Sequence, residues 1–194
     1  MTESAARRRV DRSTAIFRAA QELTLERGYQ GWTLEELAER VGVSRRTLFN
    51  HVESKEHAVL GPRPTIDDAA LAEFRSGGPT GRLLHDAVHL AITAIATSEP
   101  APADLRRCQQ ILLCEPALAQ AGIAGLEEVL EETVDQSLGR PHATPEAIRL
   151  ALDLTLILVR HASVETLGED ADTRLTDRLR ALLPLLDEVV AAPS

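Results

Sequence analysis

Aromatic side chains are scarce in this chain of 194 residues: Phe17, Tyr29, Trp32, Phe49 and Phe74 are all there are, and none follows Phe74. A ligand site beyond that point must be lined by Leu, Ile, Val and Ala with a few polar groups, not by stacked rings. Cysteine occurs only as Cys108 and Cys114. That spacing on one expected helix points the two thiols to different faces, which argues against a bridge between them. It also fails the Cys-x-x-Cys metal pattern, so both read as small apolar core residues. Lysine occurs once, as Lys55, against twenty arginines. No apolar run approaches the ~18 residues of a membrane span. The opening MTESAARRRV has basic residues with no apolar stretch behind them, so a secretory signal is not expected and the cytoplasm is the expected compartment. Period-two alternation is missing, which argues against sheet. Gly-x-Ser-x-Gly and Walker loops are missing too, which argues against the common hydrolase and nucleotide-binding enzymes.

What is present is an ordinary soluble profile, 44% hydrophobic and 26% charged, with a net charge of −9. That charge is unevenly spread. Residues 1–60 hold ten basic and nine acidic side chains, whereas residues 61–194 hold eleven and twenty-one. The acid sits in the C-terminal two-thirds, and nucleic-acid binding needs only a local basic patch.

Leu, Ala, Glu and Arg dominate throughout, so the expected fold is all-α. A first helix is expected over 13–27, capped by Ser13 or Asp11, with Ile16, Ala19, Ala20 and Leu23, then Leu25 or Arg27, along its apolar stripe and Gly28 as its stop. A second follows Thr33, whose partner Glu36 completes a capping box, and ends at Gly42. A third runs from Ser44 to about Val52, and Ser54 caps a fourth. Gly61-Pro62-Arg63-Pro64 is the strongest break. It sets expected domains of 1–60, with 1–11 as a disordered arm or a DNA-contacting one, and 61–194. Beyond it, helices are expected over roughly 66–74, 80–98, 103–138 with a break near Pro116, 144–167 and 173–191.

The informative stretch is TLEELAERVGVSRRTLFNHVESK, Thr33 to Lys55. A short helix, a Gly42-Val43-Ser44 turn and a second short helix form the helix-turn-helix pattern. Leu34, Leu37, Ala38 and Val41 bury one face, Gly42 supplies a positive φ, Val43 fills the corner, and Leu48 and Val52 anchor the recognition helix. The remaining face carries Arg45, Arg46, Thr47, Asn50 and His51, a polar set suited to a major groove.

The stretch from Ser13 to Leu60, about a quarter of the chain, resembles the TetR family of bacterial regulators. The residues that carry the likeness are Gly28-Tyr29, Thr33, Leu37-Ala38, Val41-Gly42-Val43-Ser44, Thr47-Leu48-Phe49 and Ser54-Lys55-Glu56. Phe49 stands where the family usually has Tyr, Val52-Glu53 replaces an aromatic-Pro pair, and Gly61-Pro62 interrupts what is normally a long connecting helix. The resemblance implies an N-terminal DNA-binding domain and a C-terminal helical domain for ligand binding and dimerisation. It implies a homodimer on palindromic double-stranded operator DNA, released by a small effector.

Site roles follow from that likeness. Arg45 and Arg46 read guanine or serve as surface charge, Thr47 meets phosphate or a thymine methyl, and Asn50 reads adenine or bonds phosphate. Phe49 meets a thymine methyl or packs inward. Thr33, Ser44, His51 and Lys55 attend the helix starts and phosphates, Lys55 by clamping phosphate at a helix N-terminus. Arg7, Arg8, Arg9 and Arg12 lie over phosphates or a minor groove, or belong to the disordered arm. Two apolar stripes, Ile148, Leu152, Thr155, Leu158, Val159 and Ala162, then Leu175, Leu179, Leu182, Leu183, Leu186 and Val190, fit a four-helix dimer interface or their own domain's core. Pro184 is expected to kink the last helix.

The aliphatic C-terminal composition favours a fatty, acyl-CoA-like effector, with His85, His89, Arg106, Arg107, His161 and Glu165 as candidate polar contacts. His85 and His89 have helical metal-pair spacing but lack an identifiable third ligand, so no metal or cofactor is expected. The competing readings are an effector-independent regulator or activator, and a helical interaction module without DNA binding.

Overall fold

The computed structural model describes residues 2–97, 99–165 and 173–190, without the side chains of residues 2–9, 11, 165 and 190. The fold is all-α, with ten helices, a 3-10 turn and no strand among the described residues. The chain divides into two compact units, 1–62 with 106–124 and 63–105 with 125–194.

The first unit is built on α1 (Thr2–Arg27), α2 (Leu34–Val41), α3 (Arg45–Phe49) and α4 (Lys55–Leu60). Helix α1 starts well before the expected Ser13 because nothing in the run of Ala, Arg and Glu preceding it breaks a helix. It stops at Gly28, whose φ of 74° turns the chain into the 3-10 turn Tyr29–Gly31. The capping box forms as its residue types require: Thr33 Oγ1 accepts from Glu36 N, and Glu36 accepts from Thr33 N. Gly42 adopts φ 73° and ψ 37°, the left-handed geometry of the turn between α2 and α3. Ser44 and Ser54 cap α3 and α4. Helix α4 ends at Leu60, with Gly61 at φ 81°.

Ile16, Ala20, Leu23, Leu37, Ala38, Leu48, Val52, Ala58 and Val59 bury a common core with Tyr29 and Trp32, and Val43 packs against it. Leu25 departs from the expected stripe and is exposed; two positions after Leu23, it lies on the opposite side of α1. The same core contains Ile111 and Leu118, from α7 (Pro102–Cys114) and α8 (Pro116–Gln136). These helices meet at Pro116, as the sequence suggested. Pro102, Pro116 and Pro145 each occupy a first helical position, where proline forfeits no hydrogen bond.

The second unit contains α5 (Asp68–Arg75), α6 (Leu83–Thr97), α9 (Pro145–Glu165), α10 (Leu175–Val190) and the later part of α8. Its polar centre is a buried ion pair. Asp86 accepts from Arg140 and from the amide and hydroxyl of Thr80, while Arg140 donates to the Phe74 carbonyl and lies 4.5 Å from the Phe74 ring centroid. With its hydrogen bonds satisfied, such a pair is tolerated in an apolar interior. Ile148 and Leu152 of α9 pack into one apolar cluster of this unit. Ala162, Leu175, Leu179 and Leu186 pack into another, with Leu158, Val159, Leu182 and Leu183 against it.

These stripes therefore face the unit's own interior, and Thr155 is buried as well. The apolar residues left in solvent are different ones: Leu150, Leu154, Ile157 and Val164 on α9, and Leu185 and Val189 on α10. Helix α9 is apolar on more than one face, and packing decides which face turns inward. Helix α10 runs through Pro184 to Val190, whose side chain is outside the described residues.

Candidate nucleic-acid interface

Leu48 and Val52 are fully buried and fix the back of the third helix. Its front presents Arg45, Arg46, Phe49 and Asn50 to solvent. Phe49, for which groove contact and inward packing were equally open, is 43% exposed. Its ring lies 5.5 Å from the Arg45 guanidinium, which also pairs with Glu35 at 3.1 Å. Arg46 forms no ion pair among the described residues. Ser44 Oγ accepts from Thr47 N and lies 2.8 Å from Thr47 Oγ1, so both hydroxyls serve the cap. Helix α3 ends at Phe49, earlier than expected, with Asn50 as its C-cap; the amides of His51 and Val52 still bond to Leu48 O.

Other expected contacts have partners inside the unit. His51 Nδ1 lies 2.8 Å from Ser13 Oγ. Thr33 is committed to the capping box, and its amide is the first cause holding the Glu36 carboxyl below its ordinary pKa. The Lys55 ammonium donates to the Trp32 carbonyl and sits 4.3 Å from the Trp32 ring centroid and 4.8 Å from that of Tyr29. Burial lowers its pKa. Arg12 is exposed, while the side chains of Arg7, Arg8 and Arg9 lie outside the described residues.

Tyr29 organises this corner through contacts that the sequence did not reveal. The Tyr29 hydroxyl donates to Glu56 Oε1 at 2.5 Å and its amide donates to Glu115 Oε1 at 2.8 Å. Burial first, then the bond to Glu56, pushes the phenol pKa up, and that bond in turn holds the Glu56 carboxyl low. Only the residue pair Gly28-Tyr29, already noted for ending the first helix, hinted at this.

The exposed set offers guanidinium donors for guanine O6 and N7, an amide for adenine and an aromatic edge for a thymine methyl, backed by the buried Leu48 and Val52. Residues 16–59 match the model for bacterial regulatory proteins of the tetR family. The helix-turn-helix resembles that of the TetR family. The chain is also similar to the HTH-type transcriptional regulator TcmR of Streptomyces glaucescens, at 46% identity over 65 residues. That alignment covers 32% of this chain and only 29% of TcmR. Two solved structures are similar over 94% of the chain: a protein assigned to the tetR family from Shewanella sp. PV-4, and FadR of Thermus thermophilus, a TetR-family repressor in complex with lauroyl-CoA. They show 19% and 21% identity, cover 99% and 96% of the respective chains, and give TM-scores of 0.38 and 0.32. The TetR family comprises regulatory proteins, not enzymes.

The candidate effector contacts fall in different places. Arg106 and Arg107 belong to the first unit, where Arg107 donates to Gln21 Oε1 at 3.4 Å. His85, His89 and His161 belong to the second. His85 is buried, with Nε2 2.9 Å from Asp187 Oδ1, and Arg82 bonds the same carboxylate and holds its pKa down. The Glu165 side chain lies outside the described residues. Among the described residues no His, Cys, Asp or Glu cluster suits a metal ion, and no helix is long and apolar enough to cross a membrane.

Proposed function

We propose that this chain is a transcriptional repressor that binds a palindromic operator as a homodimer and is released by a small hydrophobic effector. One observation carries the reading: Arg45, Arg46, Phe49 and Asn50 stand exposed on a short helix whose opposite side is locked into a core by Leu48 and Val52. That is the form of a groove-reading element. One copy offers few base contacts. Two copies about a dyad double them and space the half-sites by about 34–36 Å, one turn of duplex.

The apolar residues exposed on α9 and α10 support self-association. Leu150, Leu154, Ile157 and Val164 recur at helical spacing, with Leu185 and Val189 on the next helix. The absence of aromatics after Phe74 favours an aliphatic effector such as an acyl-CoA, with His85, His89 and His161 as its candidate polar contacts.

The test is selection of bound duplexes from a random pool with the full chain, followed by titration of the recovered site. A palindromic consensus with salt-sensitive affinity, weakened by a long-chain acyl-CoA and not by a planar aromatic dye, is the expected result. Failure to enrich any sequence overturns the DNA-binding reading. Enrichment that no acyl-CoA relieves removes only the effector.

A further inference from the structure

Residue 29 follows a helix stop, so its amide has left the α1 ladder and needs an acceptor. The acceptor comes from far along the chain. Glu115, between the last residue of α7 and the first of α8, takes the Tyr29 N–H on Oε1 at 2.8 Å. Gly28 precedes Tyr29 with φ 74°, and a Cβ there would make only ordinary contact with the same oxygen, at 3.5 Å. Glu115 is held on both sides, because Ile111 and Leu118 are buried in the core shared with α1, α2, α3 and α4.

Tyr29 then sets three things. Its hydroxyl bonds Glu56, in the first turn of α4. Its ring, with that of Trp32, cradles the Lys55 ammonium. Its 3-10 turn leads through Trp32, whose carbonyl accepts from Lys55, to Thr33, the N-cap of α2. The starts of α2 and α4 are thus indexed to one short segment, and that segment is indexed to Glu115.

We propose that Glu115 is a positioning residue for DNA binding, aligning the starts of α2 and α4 through the Tyr29 amide. This rests on the DNA-binding reading above. It assigns the carboxylate a geometric role: what matters is an acceptor at the right reach, more than a negative charge.

Two substitutions in the full chain separate reach from charge. Glu115→Gln keeps an amide oxygen at the same distance and removes the charge. Glu115→Asp keeps the charge and withdraws the acceptor by one methylene. Affinity for the selected operator is measured well below the thermal midpoint of each variant, together with the emission of Trp32, the only tryptophan. The expected result is about tenfold weaker binding by Glu115→Asp, with a shifted Trp32 emission, and near-native values for Glu115→Gln. The loss falls equally on variant operators, because alignment of helix starts acts through phosphates and not through bases. Native affinity in Glu115→Asp, or equal loss in both variants, overturns the proposal while leaving operator binding by the native chain intact. If the native chain selects no operator, both readings fail together. Should Glu115→Asp not fold, hydrogen exchange of the Tyr29 amide replaces it: protection in both the native chain and Glu115→Gln is the expected result, and a freely exchanging Tyr29 amide in the native chain overturns the proposal.

Discussion

At the scale of single residues, exposure and partnership separate two arginines that look equivalent in sequence. Arg45 is engaged by Glu35 and Phe49, whereas Arg46 is exposed and forms no ion pair among the described residues. Arg46→Ala is expected to weaken operator binding by about 1–3 kcal/mol and to relax preference at one base position, read by titrating a panel of single-base operator variants. Tyr29 offers a second test. Its hydroxyl holds the Glu56 carboxyl below the ordinary 4.5, so this bond contributes stability above that pH and loses it as pH falls through the depressed value. Tyr29→Phe is expected to cost about 1 kcal/mol or less at neutral pH, given partial solvent screening, with the gap from the native protein closing in acid. Denaturant melts across a pH series check it. Neither partnership was legible in the sequence. Arg45 with Glu35 and Tyr29 with Glu115 meet only once helices have docked, and no local spacing encodes that.

At the scale of elements, most punctuation was legible because it is local chemistry. Thr33 with Glu36, Ser44, Ser54, Gly28, Gly42 and Gly61 each act where their residue types predict. Gly42 makes the cleanest test. A Cβ there meets nothing within 4 Å, so Gly42→Ala adds only left-handed backbone strain. The expected cost is about 1–2 kcal/mol, with no loss from crowding, measured by chemical denaturation. What the sequence did not settle is which face of an apolar helix turns inward. Ile148 and Leu152 are buried, yet Leu150 and Leu154 on the same helix are exposed, and alternation of this kind is decided by the neighbours that pack first.

At the scale of the whole molecule, the proposed groove-reading face requires self-association. The exposed stripe on α9 is the expected contact. Ile157, 61% exposed, can accept a charge without disturbing its own unit's core. Ile157→Glu is expected to shift the sedimentation coefficient from dimer to monomer, to leave the helical circular dichroism unchanged, and to weaken operator binding at least tenfold. The helical architecture and the helix-turn-helix were legible from periodicity and from the Thr33–Lys55 motif. The inclusion of residues 106–124 in the first unit was not, since it arises from the burial of Ile111 and Leu118 against helices distant in sequence.

The most direct test of the central claim is the affinity of the full chain for its selected duplex and for a scrambled one of equal length, across a series of salt concentrations. The account predicts preferential binding to the palindrome, with log K falling linearly against log salt concentration and two protomers bound per site. Equal affinity for the two duplexes at every salt concentration would contradict it.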